Sequence, residues 1–349
     1  MKHLVDQLER DRDLSDEALL TLITCEDGQV TDYLARRARA VRQAVYGDQV
    51  YIRGLIEFTN YCKNDCRYCG IRRSNGSCQR YRLTPEEILD CCRTGYELGF
   101  RTFVLQGGED GWFTRERMTD LIRAIRTGYP DCAITLSVGE QDRETYQQWF
   151  DAGADRYLLR HETANEALYR ALHPAPLSLR ERMDCLYTLK DIGYQVGCGF
   201  MVGVPGQRAE MLVEDLRFIQ TLQPHMVGIG PFVPHCDTQY RSEPAGSARL
   251  TLRLLAMIRL MLPHVLLPAT TALGTVMGDG RVQGMLHGCN VVMPNLSPED
   301  VRAKYALYDH KLSSGQEAAR SVDELAKAMA QIGFRVVAHR GDWKGEAVQ

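Results

Sequence analysis

The chain has 349 residues, and its 42 Lys and Arg against 45 Asp and Glu give a formal net charge of −3. This balance argues against a basic nucleic-acid-binding face, and a composition of 44% hydrophobic and 25% charged residues excludes a disordered chain. Arginines interrupt the most apolar stretch, residues 252–262, so we expect no membrane span. The N-terminus shows no apolar signal core, and the chain has twelve cysteines; both features predict a reducing, cytoplasmic location.

The first 50 residues are predicted to be helical, with helices over 16–23 and 32–45. Strands and helices then alternate. Eight strands are predicted, at residues 51–58, 102–106, 133–138, 156–160, 195–201, 226–232, 265–269 and 290–293. The helices that follow them are predicted from residue 85 onward and near residues 114–127, 143–152, 178–192, 209–222, 247–262 and 280–287.

Eight strand–helix units favour an α/β fold of the closed (β/α)8 (TIM) barrel type, with an open sheet of six strands as the alternative. We therefore divide the chain into an N-terminal helical extension (1–50), a barrel (51–294) and a C-terminal helical segment packed on the barrel (295–349). Active sites of such barrels lie at the C-terminal ends of the strands.

A cysteine-rich loop follows the first predicted strand. Cys62, Cys66 and Cys69 form a C-x3-C-x2-C triplet. Three thiolates on one short loop can bind three irons of a cubane cluster and leave the fourth iron open. A zinc site completed by a distant residue is the alternative, but the chain has no second C-x2-C hook. The triplet therefore predicts an iron–sulfur cluster.

This loop, with Tyr68 before the third cysteine, resembles that of the radical S-adenosylmethionine (SAM) superfamily. The resemblance implies one [4Fe–4S] cluster on the three cysteines, with SAM chelating the open iron and Tyr68 beside the cofactor. It also implies reductive cleavage of SAM to methionine and a 5′-deoxyadenosyl radical. The role of the protein is then to position the cofactor and to exclude water from the site.

Two further segments resemble the SAM-binding motifs of this superfamily. Gly107, Gly108 and Glu109 end the second strand like the GGE motif that contacts the amino group of SAM, and the glycines allow close approach of the backbone. Glu162, after the fourth strand, is expected to contact the ribose hydroxyls or the amine of SAM.

A helical arginine is expected to bind the carboxylate of SAM through its bidentate fork. Arg182 is the favoured residue, and Arg180 on the same predicted helix is the alternative.

Polar residues at other strand ends predict a site for an anionic substrate. Arg160 follows the fourth strand, although an ion pair at the barrel rim is an alternative role for it. Thr270 and Thr271 follow the seventh strand, where a helix N-cap is the alternative. The predicted substrate-binding residues are Ser137, Arg160, Thr270, Thr271 and Tyr305, with Tyr308 also close to the cavity.

Longer segments narrow the resemblance to the HydE family of FeFe-hydrogenase maturases; they are residues 54–62, 68–73, 159–165, 201–207, 293–298 and 305–308. That family helps to assemble the two-iron part of the hydrogenase H-cluster together with other maturases. The resemblance implies a small organometallic or cysteine-derived substrate and a reductant such as ferredoxin or flavodoxin. Some members hold a peripheral second cluster on cysteines beyond the Tyr-x-x-Tyr segment, but this chain has no cysteine after Cys289.

Other enzymes are similar in outline. Methylornithine synthase and biotin synthase share the cysteine loop, and biotin synthase holds a second cluster inside its barrel. Cys132, Cys198 and Cys289 could face inward and are the candidates for such a cluster here. An iron–sulfur carrier without catalysis is a further alternative, although it would have no use for SAM-binding residues.

Overall fold

The computed structural model describes residues 1–311 and 318–345. Three helices form the N-terminal part: α1 (Lys2–Asp11), α2 (Asp16–Ile23) and α3 (Gly28–Tyr46). Side-chain caps define where the last two begin, since Ser15 accepts a hydrogen bond from the Ala18 amide and Asp27 from the Gln29 amide.

Ten strands follow, most of them in parallel pairs. They are β1 (Gln49–Ile52), β2 (Gly54–Thr59), β3 (Thr102–Gly107), β4 (Ala133–Ser137), β5 (Arg156–Leu158), β6 (Gln195–Cys198), β7 (Met201–Val202), β8 (Met226–Val227), β9 (Gly230–Pro231) and β10 (Val291–Val292). The order β2-β3-β4-β5-β6-β8 forms one sheet of six strands. Single parallel bridges close it into a ring, from Met226 to Leu266, from Pro268 to Val291 and from Leu55 to Asn295. The (β/α)8-like barrel is confirmed, and the open-sheet alternative is wrong.

Helices connect the strands and cover the outside of the barrel. They are α4 (Pro85–Glu97), α5 (Arg115–Gly128), α6 (Arg143–Asp151), α7 (Glu166–Leu172), α8 (Leu179–Ile192), α9 (Ala209–Leu222), α10 (Ala248–Met261), α11 (Thr271–Val276) and α12 (Gly280–Leu286). The long N-terminal helix α3 packs against α10, so the N-terminal part lies on the outside of the barrel.

Two predicted strands are each broken into two. The strand predicted over 195–201 becomes β6 and β7, and the one predicted over 226–232 becomes β8 and β9. The break falls where the backbones of Gly199 and Gly228 meet, since a Cβ on Gly199 would lie 1.9 Å from the Gly228 carbonyl oxygen. The strand predicted over 265–269 makes only isolated bridges.

The C-terminal part contains α13 (Glu299–Arg302), α14 (Ala318–Gln331) and a strand that the sequence did not predict, β11 (Arg335–Val337), which pairs in parallel with β1. The segment after β11 covers the N-terminal ends of the barrel strands. Arg156 donates to Asp342 at 2.5 Å, and Thr102 donates to the Arg340 carbonyl at 2.7 Å. The chain therefore closes the bottom of its own barrel. Residues 312–317 and 346–349 of the predicted C-terminal segment lie outside the described residues.

Within the described ranges, no helix has the length and apolar character needed to cross a membrane.

Candidate functional site

A cavity of about 350 Å³ lies at the C-terminal ends of the barrel strands. Every residue that the sequence predicted for the cluster, for SAM and for the substrate lines it. These residues are Cys62, Cys66, Tyr68, Cys69, Gly107, Gly108, Glu109, Ser137, Arg160, Glu162, Arg182, Thr270, Thr271 and Tyr305. The barrel thus brings together residues that are up to 243 positions apart in the chain (305 − 62).

The cysteine loop presents three free thiols to this cavity. Burial raises the pKa of the thiols of Cys62 and Cys66, and it raises that of Cys69 to about 12. Such thiols stay protonated at neutral pH unless a metal ion binds them, because a coordinating thiol is deprotonated outright. Three sulfurs on one loop beside a cavity are a donor set that fits an iron–sulfur cluster with one iron open to a further ligand.

The two glycines after β3 are packed against this loop. The Gly108 amide donates to the Thr59 carbonyl at 3.1 Å, and the Lys63 amide donates to the Glu109 carbonyl at 2.9 Å. A Cβ on Gly108 would lie 2.2 Å from the Tyr61 carbonyl oxygen and 2.8 Å from the Cβ of Cys62. Gly108 therefore lets the cysteine loop lie directly on the end of β3, which is a structural requirement separate from ligand approach.

Glu109 projects into the cavity between two neighbours. One oxygen lies 3.2 Å from the Nζ of Lys63, whose side chain is 61% exposed. On the other side, a Cβ on Gly139 would lie 2.1 Å from the side chain of Glu109, and Gly139 has a φ of +79°. Only glycine combines this positive φ with the absence of a Cβ at the contact. The Glu109 carboxylate therefore occupies space that any other residue at position 139 would fill.

Arg182 is buried beside the cavity, whereas Arg180 is 90% exposed on the outside of α8. The Nε of Arg182 lies 2.7 Å from an oxygen of Glu140, without the alignment of a hydrogen bond. Burial lowers the pKa of Arg182, but Glu140, Tyr169 and Glu109 outweigh burial and raise it above its usual value. Arg182 is therefore a fixed positive charge in the cavity wall.

Arg160 and Glu162 form an ion pair in the cavity, with 3.0 Å between the guanidinium and the carboxylate. Neither atom of this contact has a well-aligned hydrogen-bond partner, so the Arg160 guanidinium can still donate to a ligand and the Glu162 carboxylate can still accept from one. Glu162 has a φ of +66°, a conformation that non-glycine residues rarely adopt and that is concentrated at functional sites.

The residue between them, His161, is fully buried against the ring of Phe218 and lies 3.3 Å from Asp215. Burial lowers the pKa of His161 to about 3, so its imidazole is neutral near neutral pH, and burial raises the pKa of Asp215. The Ala164 amide donates to Asp215 at 2.6 Å, which ties the turn after Glu162 to α9.

The two threonines after residue 269 have different roles. Thr270 is the N-cap of α11, accepting from the Leu273 amide at 3.4 Å, and its hydroxyl donates to the Ile229 carbonyl at 3.3 Å. Both hydrogen bonds of the Thr270 hydroxyl are therefore made within the protein. Thr270 is a helix N-cap, which was the alternative role considered from the sequence. Thr271 lines the cavity beside it.

The sequence analysis missed one acidic residue that contacts the cavity wall and one ion pair in the wall itself. Glu140 follows β4 in a Gly-Glu pair, the same signal that pointed to Glu109 after β3. The other group is a buried ion pair between Glu57 and Lys311, in which Asn295 also donates to Glu57 at 2.8 Å. A carboxylate between Ile56 and Phe58 in the buried strand β2 was the available signal.

The candidates for a biotin synthase-like internal cluster are not in the cavity wall. Cys132, Cys198 and Cys289 are each fully buried, and none of them lines the cavity. They pack as small apolar side chains.

A barrel whose strand ends carry a three-cysteine loop beside a glycine-backed carboxylate is the architecture of a radical SAM enzyme, and residues 56–219 match the Radical SAM superfamily. The [FeFe] hydrogenase maturase subunit HydE of Thermotoga maritima is 42% identical to this chain over 344 residues, covering 99% of this chain and 97% of that protein. The 3-methylornithine synthase of Methanosarcina barkeri is 31% identical, covering 92% of this chain and 90% of that protein.

Solved structures agree on the fold. The crystal structure of methylornithine synthase (PylB) matches with a TM-score of 0.85 and 29% identity, covering 96% of this chain and 97% of that one. The [FeFe]-hydrogenase maturase HydG matches with a TM-score of 0.81 at 20% identity, which bears on the fold alone. The chain belongs to the radical SAM superfamily and, within it, to the HydE family of [FeFe]-hydrogenase maturases.

Proposed function

We propose that this protein cleaves SAM reductively and acts on a small anionic substrate during assembly of the two-iron part of the FeFe-hydrogenase H-cluster. The observation that carries the proposal is a cavity whose wall holds the cysteine loop, the SAM-binding candidates and Arg160 together. The 42% identity to the HydE maturase, over 99% of this chain, supports the same conclusion.

Cys62, Cys66 and Cys69 hold one [4Fe–4S] cluster in this proposal. When bound, the cluster would supply the electron that cleaves SAM into methionine and a 5′-deoxyadenosyl radical, and the external reductant would restore that electron. The loop positions its sulfurs through backbone contacts to the end of β3, and the closed bottom of the barrel excludes water from that side.

The charges around the cavity match the charged groups of SAM. The carboxylates of Glu109 and Glu162 are suited to its amine and ribose hydroxyls, and the guanidinium of Arg182 is suited to its carboxylate. Glu140 keeps Arg182 oriented toward the cavity before SAM binds. Each charge-assisted contact is worth roughly 1.5–3 kcal/mol, or about 10- to 100-fold in SAM affinity.

Arg160 is assigned to the substrate. A half-buried guanidinium needs an anion, and Glu162 supplies one when the cavity holds no ligand. Once Glu162 contacts SAM, its ion pair with Arg160 is weakened and Arg160 can bind a negatively charged substrate. SAM therefore binds before the substrate in this proposal.

The test uses cluster-loaded protein under anaerobic conditions. Replacing Cys62, Cys66 or Cys69 by Ser should remove most of the iron. Arg182→Ala should weaken SAM binding by 10-fold or more with the iron content unchanged, whereas Arg180→Ala, the exposed arginine on the same helix, should leave both unchanged.

Arg160→Ala separates the substrate role from a structural role. The variant should still cleave SAM but fail to support hydrogenase maturation in a reaction that contains the other maturases and a ferredoxin or flavodoxin reductant. Full maturation by Arg160→Ala would contradict the assignment. Loss of SAM binding and of stability together would mean that Arg160 serves only its ion pair with Glu162.

A second candidate function is radical chemistry on a small amino acid, since this chain matches 97% of the methylornithine synthase chain at a TM-score of 0.85. The maturation reaction distinguishes the two functions. Protein that turns over SAM but never yields active hydrogenase, with all other maturases present, would favour the amino-acid enzyme.

A further inference from the structure

The cysteine loop carries a concentration of positive charge that the proposed function does not use. Residues 62–84 contain six Lys and Arg but one carboxylate, Asp65, whereas the whole chain has a formal net charge of −3. Asp65 accepts hydrogen bonds from the amide and from the hydroxyl of Ser74, at 3.1 and 2.7 Å, so its charge is held within the loop. The segment that contains the cysteines is therefore basic on a weakly acidic protein.

Three of these cations, Lys63, Arg67 and Arg73, are exposed. Lys63 and Arg67 each directly follow a cysteine of the triplet. The Arg73 amide donates to the Asn64 carbonyl at 2.8 Å, so Arg73 lies against the segment between the first two cysteines. The Arg73 side chain has no hydrogen bond or ion pair with residues 1–311 and 318–345. The outer side of the loop thus presents cations that the fold itself does not need.

An exposed aromatic residue lies beside the same loop. Trp112 is 38% exposed, and the guanidinium of Arg117 lies 4.1 Å from the centre of its ring. The Trp112 amide donates to the Asp110 carboxylate at 3.1 Å, and Arg82 donates to the same carboxylate at 2.6 Å. The Arg82 guanidinium lies 3.7 Å from the ring centre of Tyr61, the residue before the first cysteine. Trp112 is therefore joined to the start of the cysteine loop, and the carboxylate between them is paired with a cation.

Exposed cations beside an aromatic residue are typical of a surface that binds an acidic protein. Trp and Arg are enriched among the residues that carry the binding energy of protein interfaces, and opposite charges on two partners steer their encounter. Electron-transfer complexes have small interfaces, so a patch of a few residues is enough for one. A carrier bound on this patch would lie directly on the loop whose three cysteines line the cavity.

We propose that Lys63, Arg67, Arg73 and Trp112 form the docking surface for the reductant, an acidic one-electron carrier protein that reduces the cluster through the cysteine loop. The carrier loses one electron and the cluster gains it, with no bond formed or broken in this step. Because the patch lies outside the cavity, the carrier can bind while SAM and the substrate stay enclosed. This inference rests on the proposed function and adds the binding surface and the chemistry of its reductant.

The first measurement is the affinity of cluster-loaded protein for oxidised flavodoxin, an acidic electron carrier. Arg73→Glu reverses an exposed charge without removing a contact, so the dissociation constant should rise about fivefold or more at low ionic strength. Arg123→Glu, the same change at an exposed position of α5, is the matched control and should bind like wild type. Since salt screens exposed charges, the difference between Arg73→Glu and wild type should shrink at high ionic strength.

Trp112→Ala should weaken binding at high as well as low ionic strength, because an aromatic contact is not screened by salt. No loss at either ionic strength would remove Trp112 from the surface. Wild-type affinity in Arg73→Glu, an equal loss in Arg123→Glu, or failure of wild type itself to bind flavodoxin would overturn the proposal.

The second measurement is the rate of electron transfer. Reduced flavodoxin is mixed with SAM-loaded protein that carries the oxidised cluster, and the absorption of the flavin reports its oxidation. Transfer should be about fivefold or more slower in Arg73→Glu, and Arg73→Lys, which keeps the charge, should restore most of the rate. Dithionite, a small chemical reductant that needs no docking surface, should support SAM cleavage equally in both variants and in wild type. Slower cleavage with dithionite or a lower iron content in Arg73→Glu would show that Arg73 supports the loop itself, and would overturn the proposal.

A maturation assay keeps this inference separate from the proposed function. If wild type accepts electrons from flavodoxin and cleaves SAM but never supports maturation, the proposed function fails, and the transfer rates still decide the docking surface. If Arg73→Glu is reduced at the wild-type rate but loses maturation, the patch binds another maturase, and its assignment to the reductant is wrong.

Discussion

Gly108→Ala tests how the end of β3 supports the cysteine loop. The added methyl carbon would lie 2.2 Å from the Tyr61 carbonyl oxygen and 2.8 Å from the Cβ of Cys62. A carbon–oxygen contact is about 3.3 Å at its closest comfortable distance, so the loop must move by about 1 Å. Overpacking of this kind costs about 1–3 kcal/mol of folding free energy. A displacement of about 1 Å at a reacting group costs about 100-fold in rate.

We therefore expect Gly108→Ala to hold less iron after anaerobic reconstitution and to cleave SAM about 100-fold more slowly. Gly111→Ala is the matched control, because a Cβ at Gly111, three residues along the same loop, meets nothing within 4 Å. The assays are iron content, the brown absorption of the cluster and release of 5′-deoxyadenosine. Wild-type iron content and SAM cleavage in Gly108→Ala would refute the reasoning that the loop depends on this contact.

Three further predictions concern other parts of the chain. Gly139→Ala, which collides with Glu109 at 2.1 Å and carries a φ of +79°, should raise the dissociation constant for SAM at least 10-fold with the iron unchanged; normal SAM affinity would show that Glu109 has room elsewhere. Burial lowers the pKa of His173 to about 4, so its contribution to stability is complete above about pH 6.5 and is lost as the pH falls toward 4. Wild type should therefore lose about 1 kcal/mol more than His173→Gln in denaturant unfolding between pH 7 and 5.5, and equal losses would contradict the shift. Asp342→Asn weakens the pair with buried Arg156 and should cost about 1–3 kcal/mol of unfolding free energy, less than a fully buried pair since Asp342 is 35% exposed, while SAM affinity at the other end of the barrel stays unchanged.

The order of strands and helices could be predicted because each barrel unit is built from local signals. Apolar runs of four to eight residues, capping residues and proline at helix starts identify the elements, and α4 begins at Thr84-Pro85 with the capping box that its sequence indicates. The cysteine spacing was equally local, since all three cysteines lie on one short loop. Because a barrel gathers its strand ends at one face, residues recognised at those ends were bound to meet in one cavity.

Contacts between distant segments could not be predicted in the same way. The breaks at Gly199 and Gly228 arise from a backbone crossing, and β11 pairs with β1 across almost the whole length of the chain. The segment around Asp342 closes the bottom of the barrel through an ion pair with Arg156, a buried arginine on β5. No local sequence pattern at Arg156 or Asp342 predicts that the two residues pair.

The roles of individual polar groups also depended on the tertiary structure. Arg180 and Arg182 are equivalent in the sequence, yet one faces solvent and the other lies beside Glu140 in the cavity wall. The sequence determines which chemical groups are present and on which elements they lie. Burial and the pairing of charges are properties of segments far apart in the chain, so the tertiary structure alone decides which of those groups remain free to bind.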